Sequence, residues 1–264
     1  MKRQAEVAGT FYPKNKKQLE DQLKKLFEEV PESKKSQCII APHAGYTYSG
    51  KTAATSFNAV KKAKTFVILG TGHTGLGSKI SVSTADSWET PLGEAQIDSK
   101  LRDSLLKTLE IQGDDVAHIG EHSCEVQIPF IQFLFPKTKI LPIVVGTPDL
   151  GQLEALGNAL FKAQKGKSIS VVASGDFSHF IPEKDAKKTD LGAIGFIEKM
   201  DISGFYSLVT KNRLSICGLS PIIAAMFFSK KLGLKKGKLL KYDTSASATG
   251  DTDRVVGYAA IEFE

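Results

Sequence analysis

The sequence predicts an α/β fold in which a mostly parallel central sheet is flanked by helices. Short apolar segments that suit buried strands, such as 38–41 and 65–69, alternate with helical segments of about a dozen residues, such as 16–30. No linker rich in Pro, Ser or Gly divides the 264 residues. We therefore expect a single α/β domain that covers 1–264.

Apolar spacing and capping residues place the individual elements along the chain. Leu19, Leu23 and Leu26 recur at helical spacing in the first predicted helix, and Asp98 is expected to cap the third. The predicted helices cover 16–30, 50–60, 98–109, 121–135, 150–164, 183–200 and 221–231. The predicted strands cover 38–41, 65–69, 80–84, 139–145, 168–173, 238–242 and 255–263, of which the last two are expected to add antiparallel pairing.

Composition restricts the partners and the compartment that we expect. The net charge is +6, but the lysines occur in short scattered runs without interleaved aromatics, so we expect a solvated basic surface and no nucleic-acid partner. No apolar run approaches the roughly 20 residues that span a membrane, and no apolar signal region follows the first residues. Cys38, Cys124 and Cys217 form no CxxC pair, which is typical of a reducing cytoplasm.

Four of the five histidines lie at the ends of predicted strands or helices. His43 and His73 follow two strands, His179 follows a third together with Asp176, and His122 lies at the start of a predicted helix. Ligands of open α/β sheets bind beyond the carboxyl ends of the strands, so we expect these side chains to converge on one edge of the sheet. Imidazole is the commonest metal ligand and a frequent acid or base near neutral pH.

Two motifs match known signatures but lack the context that these require. The segment 70–75 reads G-x-G-x-x-G, yet 76–82 continues as a strand, so we do not assign a dinucleotide site. The segment 118–122 reads H-x-x-E-H, but Gly120 places the helix start near Glu121 and leaves His118 outside the helix, at the surface. Glu121 and Glu125 are interpreted as partners of the helix dipole.

Cys217 is the remaining candidate ligand. It precedes Gly218 at the start of an apolar helix, where a helix N-terminus lowers the pKa of a thiol and favours the thiolate that binds metals. Two histidines and one thiolate would form a three-ligand site with open positions, as in catalytic metal sites. Iron(II), zinc and copper all accept such ligands. Tyr46, close to His43 in the chain, either lines a pocket or packs in the core.

Several motifs resemble the Memo family, whose eukaryotic namesake is a mediator of cell motility and whose prokaryotic members are named after an AmmeMemoRadiSam system. The segments that carry the resemblance are GTFYP at 9–13, PHAGY at 42–46, EHS at 121–123, SGDFSH at 174–179, ICG at 216–218 and DTDRVVGY at 251–258. The family is similar in fold to class III extradiol dioxygenases, so the resemblance implies a Memo-like domain over the whole chain.

The resemblance also implies roles for individual residues. The implied metal ligands are His43, His73 and Cys217, the implied catalytic residues are His179, Asp176 and His122, and the implied substrate-binding residue is Tyr46. Cys217 would stand where the dioxygenases have a glutamate, and this softer, oxidisable ligand departs from the 2-His-1-carboxylate pattern of iron(II) oxygenases. Iron(II) is the expected cofactor, with copper and zinc as alternatives.

Three functions therefore compete. The first is an iron-dependent oxidoreductase of dioxygenase type, in which His179, steered by Asp176, moves a proton. The second is a binding or redox-regulatory protein that keeps the pocket without turnover and holds a small molecule or an anionic peptide; the eukaryotic namesake has been linked to phosphotyrosine-type peptides and to copper or iron redox chemistry. The third is a zinc hydrolase that uses metal-bound water as its nucleophile.

Overall fold

The computed structural model describes residues 1–164 and 166–264. The strands are β1 (Lys2–Arg3), β2 (Cys38–Ala41), β3 (Thr65–Thr71), β4 (Ile80–Val82), β5 (Ser87–Thr90), β6 (Gly93–Gln96), β7 (Lys139–Val145), β8 (Ile169–Ser174), β9 (His179–Ile181), β10 (Gly237–Thr244) and β11 (Val255–Phe263). The helices are α1 (Lys16–Phe27), α2 (Tyr46–Ala59), α3 (Ser99–Leu109), α4 (Ile128–Leu134), α5 (Leu150–Ala163), α6 (Glu183–Glu198), α7 (Ile202–Lys211), α8 (Leu219–Lys231) and α9 (Ala246–Thr249).

The central sheet has the strand order β10-β11-β2-β8-β3-β7-β4, and β9 pairs with β11 beside it. β2, β8, β3 and β7 run parallel, whereas β4, β10 and β11 pair antiparallel. Every residue of β2 and β8 is buried, as expected of parallel strands that helices cover on both faces. The predicted α/β fold is confirmed as a mixed sheet with a parallel centre and antiparallel margins.

The apolar helix α8 packs inside the protein. Most of its 13 residues are buried, and a Cβ on Gly157 of α5 would lie 2.6 Å from Cβ of Phe227, so the two helices pack at very close range. No helix of residues 1–164 or 166–264 combines the length and the apolar character that crossing a bilayer requires.

A small second sheet, β1-β5-β6, and helix α7 have no counterpart among the predicted elements. The strands of this sheet are only two to four residues long, which is too short for a periodic pattern. Its centre is Trp88, which is fully buried and lies 4.0 Å below the guanidinium of Arg3. Arg3 also donates a hydrogen bond to the buried carboxylate of Glu125 at 2.5 Å. This ion pair connects the N-terminal segment to the segment that carries His122.

The predicted helix 121–135 is only half present. A 3₁₀ turn covers Glu125–Gln127, and regular α-helix begins at Ile128. Pro129, which has no N–H to donate, occupies the first turn of α4 and suits a helix start at this point. Glu121 and His122 therefore lie on an irregular segment before the helix, which leaves their side chains free to face the site.

Candidate metal centre

The carboxyl edge of the central sheet brings the three predicted metal ligands together. His43 follows β2, His73 follows β3, and Cys217 enters from the loop before α8. One ligand atom from each of these side chains lies within 4.8 Å of the other two. The two imidazole rings meet edge to face with their centroids 5.1 Å apart. Side chains from distant parts of the chain are therefore within reach of one ion.

Ser174 determines which ring nitrogen of His43 carries the proton. Its hydroxyl donates to the carbonyl of Ser123 at 2.6 Å and accepts from Nε2 of Gln127 at 2.8 Å. The remaining lone pair lies 3.1 Å from Nδ1 of His43, so Nδ1 is the protonated nitrogen. Burial and the neighbouring imidazoles lower the pKa of His43 well below its usual value. The ring is thus neutral, and Nε2 offers a free lone pair for a metal.

Glu121 orients His73. Its two carboxylate oxygens lie 2.9 and 3.2 Å from Nδ1 of His73, and one also accepts from the backbone N–H of His73 at 2.7 Å. A carboxylate can only accept, so Nδ1 carries the proton and Nε2 of His73 remains free. Burial alone would raise the pKa of Glu121, but the His73 ring and the backbone N–H groups of Ser123 and His73 lower it to about 2.

Glu121 was missed as a site residue. Its interpretation as a helix-dipole partner is wrong, because α4 begins only at Ile128. Its partner His73 lies 48 residues away in the sequence, so no local spacing reveals the pair. The available signal was chemical: a histidine ligand usually donates its second N–H to a carboxylate or carbonyl, so Glu121, next to His122 in the chain, was a candidate for that role.

Cys217 faces His43 directly. Its Sγ lies 3.2 Å from Nε2 of His43 and accepts from the backbone N–H of Asp176 at 3.2 Å. Burial, with the nearby carboxylate of Asp176, raises the pKa of the Cys217 thiol above its ordinary value. The expected lowering by the start of α8 is therefore outweighed by desolvation. A cation that binds here takes the place of the thiol proton.

A close approach of two glycines carries Cys217 to this position. A Cβ on Gly175 would lie 2.3 Å from Cα of Gly218, and a Cβ on Gly218 would lie 2.9 Å from Cα of Gly175. The obstructing atoms belong to the backbone, so they cannot move aside as a flexible side chain does. The turn after β8 and the loop before α8 are thus packed backbone to backbone, and this contact sets Cys217 beside Asp176.

The donor set fits a transition metal and not a hard cation. Two imidazoles and one sulfur are ligands of iron, zinc and copper, whereas Ca²⁺ and Mg²⁺ take oxygen ligands. The 3.2 Å between Sγ of Cys217 and Nε2 of His43 suits two ligands that each lie about 2.0–2.3 Å from a common ion. His73, Glu121 and His122 form a second group within 4.8 Å, but N–H donors already occupy both oxygens of Glu121. The set with Cys217 is therefore the better candidate.

His122 lies beside this ligand set. Its ring stacks on that of His73, with centroids 4.7 Å apart, and its centroid lies 4.5 Å from that of the Phe11 ring. Burial lowers the pKa of His122 to about 4 despite the nearby carboxylate of Glu121. The ring is neutral near pH 7 and can therefore donate or accept a hydrogen bond at the site.

Asp176 supports the His43 segment. One carboxylate oxygen accepts from the backbone N–H of His43 at 2.8 Å, and the other lies 4.0 Å from Nε2 of the same ring. Burial raises the pKa of Asp176 to about 6, although hydrogen bonds from the backbone N–H groups of His43 and Ala44 act in the opposite direction. An acid with such a pKa changes its charge close to neutral pH, which suits proton transfer.

His179 is oriented by backbone carbonyls. Its Nδ1 lies 2.7 Å from the carbonyl oxygens of both Phe177 and Ser215, so Nδ1 is protonated and Nε2 is the basic atom. The expectation that Asp176 steers this ring is not met, because in the described part of the chain the carboxylate of Asp176 accepts its hydrogen bonds from the backbone N–H groups of His43 and Ala44.

A β-bulge shapes the backbone next to His179. In the pairing of β9 with β11, Ile181 lies opposite Val255 and His179 opposite Val256, so Phe180 is the extra residue. Phe180 has a positive φ of 60°, and the residue is 62% exposed. A bulky side chain at positive φ is unusual, and bulges of this kind often redirect a side chain beside a functional site.

Two residues lie elsewhere than their sequence context suggests. Tyr46 is 3% exposed, its ring packs 4.7 Å from that of Phe130, and its hydroxyl donates to the carbonyl of Val126 at 2.7 Å. It is thus part of the core, with its polar atom engaged away from the candidate ligands. His118, expected at the surface, is 1% exposed and contacts Trp88, because its 3₁₀ turn folds under the small sheet.

Comparisons with known proteins identify the family of the chain and support its fold. A family profile described as Memo-like protein matches residues 3–262. A MEMO1 family protein of Methanosarcina mazei is 43% identical and covers 99% of both chains, and one of Aquifex aeolicus is 38% identical over 99% of this chain and 98% of its own. An uncharacterized protein of Escherichia coli K12, 12% identical, matches in structure with a TM-score of 0.57 over 85% of this chain and 98% of its own, which supports the fold alone. The predicted resemblance is confirmed, and the chain belongs to the Memo family.

Proposed function

We propose that this protein is an iron(II)-dependent oxidoreductase of dioxygenase type, with His43, His73 and Cys217 as the metal ligands. The observation that carries the proposal is the common reach of the three ligand atoms, which lie within 4.8 Å of one another. Ser174 and Glu121 add support, because each holds the Nδ1 proton of one histidine and leaves its Nε2 free. Three protein ligands leave positions open for substrate, which is a property of catalytic metal sites.

The bound iron would supply electron transfer and oxygen chemistry, and the surrounding side chains would handle substrate and protons. His73 and His122 keep 33% and 21% of their side chains exposed, so a small molecule can approach from this side. His179, with a free Nε2, is proposed to accept a proton from a substrate hydroxyl. Neutral His122 would hydrogen-bond the substrate, and Asp176 would hold the His43 segment and take up a proton near neutral pH.

The thiolate ligand has a consequence for the protein's surroundings. Cys217 is one of three free cysteines in the described chain, and a thiolate is more easily oxidised than a carboxylate. We infer that the protein works in a reducing compartment such as the cytoplasm, where thiols persist.

The test is anaerobic reconstitution with iron(II), followed by electron paramagnetic resonance of the nitric oxide adduct. We expect the high-spin signal of an iron–nitrosyl centre in the wild type and its loss in His43→Ala. His118→Phe, which changes a buried histidine outside the site, is the matched control and should keep the signal. A signal that survives in His43→Ala would contradict the proposed ligand set.

Metal analysis of protein purified without chelators distinguishes the other two functions. Zinc in place of iron, together with hydrolytic turnover, would favour the zinc hydrolase, whose ligand chemistry the same three side chains also satisfy. Absence of turnover with saturable binding of an anionic peptide would favour the binding protein.

A further inference from the structure

We propose a second ligand site, a lysine-lined cleft at the amino ends of β3, β7 and β8 that binds a condensed phosphate or another multiply phosphorylated small molecule. The cleft has a volume of about 630 Å³. His43 and His73 follow the carboxyl ends of strands in the same sheet, so the cleft lies at the opposite edge from them. The proposal is independent of the metal centre and of the function proposed for it.

The order of the strands brings together lysines that lie far apart in the sequence. Each of the three strands begins at or within two residues of the last lysine of a Lys-X-Lys triplet, at 62–64, 137–139 and 165–167. The parallel register pairs Thr65 with both Lys139 and Ile169, so the three strand starts lie side by side, about 4.8 Å apart. The lysines that line the cleft are Lys62, Lys64, Lys100, Lys137, Lys139 and Lys167. Lys165 lies outside the described residues.

Few negatively charged groups neutralise these six lysine charges. All six side chains belong to exposed residues, and within residues 1–164 and 166–264 none of them forms an ion pair. The one acidic residue among the described lining residues is Asp98, whose carboxylate accepts from the backbone N–H of Leu101 and the hydroxyl of Thr65. Concentrated like charge destabilises a folded chain, so an anion in the cleft would relieve the repulsion.

The positions of two lysines indicate that chain stability does not explain the cluster. Lys100 lies in the first turn of α3, where a positive charge opposes the helix dipole. Lys137 has a positive φ of 68°, a backbone conformation that residues other than glycine seldom adopt.

The shape and lining of the cleft select the class of ligand. Its volume falls in the range of about 300–1,000 Å³ that is usual for small-molecule sites. No aromatic side chain occurs among the described lining residues, so the cleft lacks the stacking platforms that bind the bases of single-stranded nucleic acid. Lysine ammonium groups act as point charges, and several of them around one cleft suit a ligand that carries several negative charges, as a condensed phosphate does.

The experiment is calorimetric titration of the full chain with inorganic tripolyphosphate. The test variant combines Lys64→Gln, Lys139→Gln and Lys167→Gln, and the control combines Lys17→Gln, Lys187→Gln and Lys211→Gln, which removes the same charge from scattered exposed positions. We expect saturable binding in the wild type and the control, and binding at least about tenfold weaker in the test variant. The test variant should melt no lower than the wild type, because it loses like-charge repulsion. His43→Ala should bind tripolyphosphate as the wild type does.

Four results would overturn the proposal. Equal weakening in the two triple variants would mean that net charge alone attracts the anion. No saturable binding in the wild type would remove the site altogether. Tighter binding of single-stranded RNA than of tripolyphosphate, lost in the same test variant, would make the cleft part of a nucleic-acid surface. Orthophosphate that binds as tightly as tripolyphosphate would exclude a preference for condensed phosphate.

Discussion

Sγ of Cys217 lies 3.2 Å from Nε2 of His43, a distance that suits a hydrogen bond from the thiol to the unprotonated ring nitrogen. Nδ1 of His43 holds its own proton against Ser174, burial lowers the pKa of His43, and burial raises the pKa of Cys217. Near pH 7 the pair is therefore a neutral imidazole and a neutral thiol, and only the thiol has to lose a proton to become a metal ligand.

Metal uptake should consequently release about one proton per chain near pH 7. Because the thiol pKa is raised, the apparent affinity should increase about tenfold for each unit of rising pH, as long as the pH stays below that pKa. The measurement is a titration with zinc(II) in weakly buffered solution that contains a pH indicator. Cys217→Ala should bind more weakly and release no thiol proton. Equal proton release by this variant and the wild type would exclude Cys217 as a ligand.

Glu121→Gln should weaken metal binding about 10- to 100-fold without unfolding the protein, because the amide removes the charge that orients His73. The amide N–H₂ would also face backbone N–H groups that now donate to the carboxylate, as at Ser123. Competition with a chromophoric chelator measures the affinity. Glu94→Gln, an exposed change on β6, serves as the control and should leave the affinity unchanged. Wild-type affinity in Glu121→Gln would show that Glu121 does not orient the ligand.

Gly175→Ala should destabilise the protein by about 1–3 kcal/mol, because its new Cβ meets the backbone of Gly218. It should also weaken metal binding, since the loop that carries Cys217 has to move. Gly192→Ala in α6 is a matched control whose Cβ meets no atom within 4 Å, and it should raise stability by up to about 1 kcal/mol. Urea unfolding of both variants checks this. Equal effects at the two glycines would contradict the close approach.

Phe180→Gly should stabilise the fold by about 1 kcal/mol, because glycine adopts a positive φ without strain and the exposed ring buries little surface. Phe180→Ala keeps the Cβ and should show no such gain. Thermal unfolding of the two variants side by side is the measurement. A glycine variant no more stable than the alanine variant would indicate that the backbone at this bulge carries no strain.

The convergence of His43 and His73 was predictable because each follows a buried strand, and the carboxyl ends of parallel strands share one edge of a sheet. The residues that orient these rings were not predictable from spacing. Ser174 lies 131 residues from His43 in the chain, and Glu121 lies 48 residues from His73. Such contacts depend on strand order, which a single sequence does not reveal.

Other differences between the sequence-based expectations and the structure have local causes. The helix predicted over 121–135 follows from apolar spacing, but hydrogen bonds of the Glu121 side chain and Pro129 in the first turn of α4 shift its start to Ile128. The raised pKa of Cys217 reflects burial, which the position of a residue before a helix does not disclose. The lysines before β3, β7 and β8 look scattered in sequence, because only the order β8-β3-β7 makes their strands neighbours.

X-ray absorption at the iron edge tests most directly whether His43, His73 and Cys217 bind one ion. We expect one iron per chain in the reconstituted wild type, with nitrogen scatterers at about 2.1 Å and one sulfur at about 2.3 Å. The sulfur contribution should disappear in Cys217→Ser. A wild-type spectrum that contains only nitrogen and oxygen neighbours, or one that Cys217→Ser leaves unchanged, would contradict the assignment.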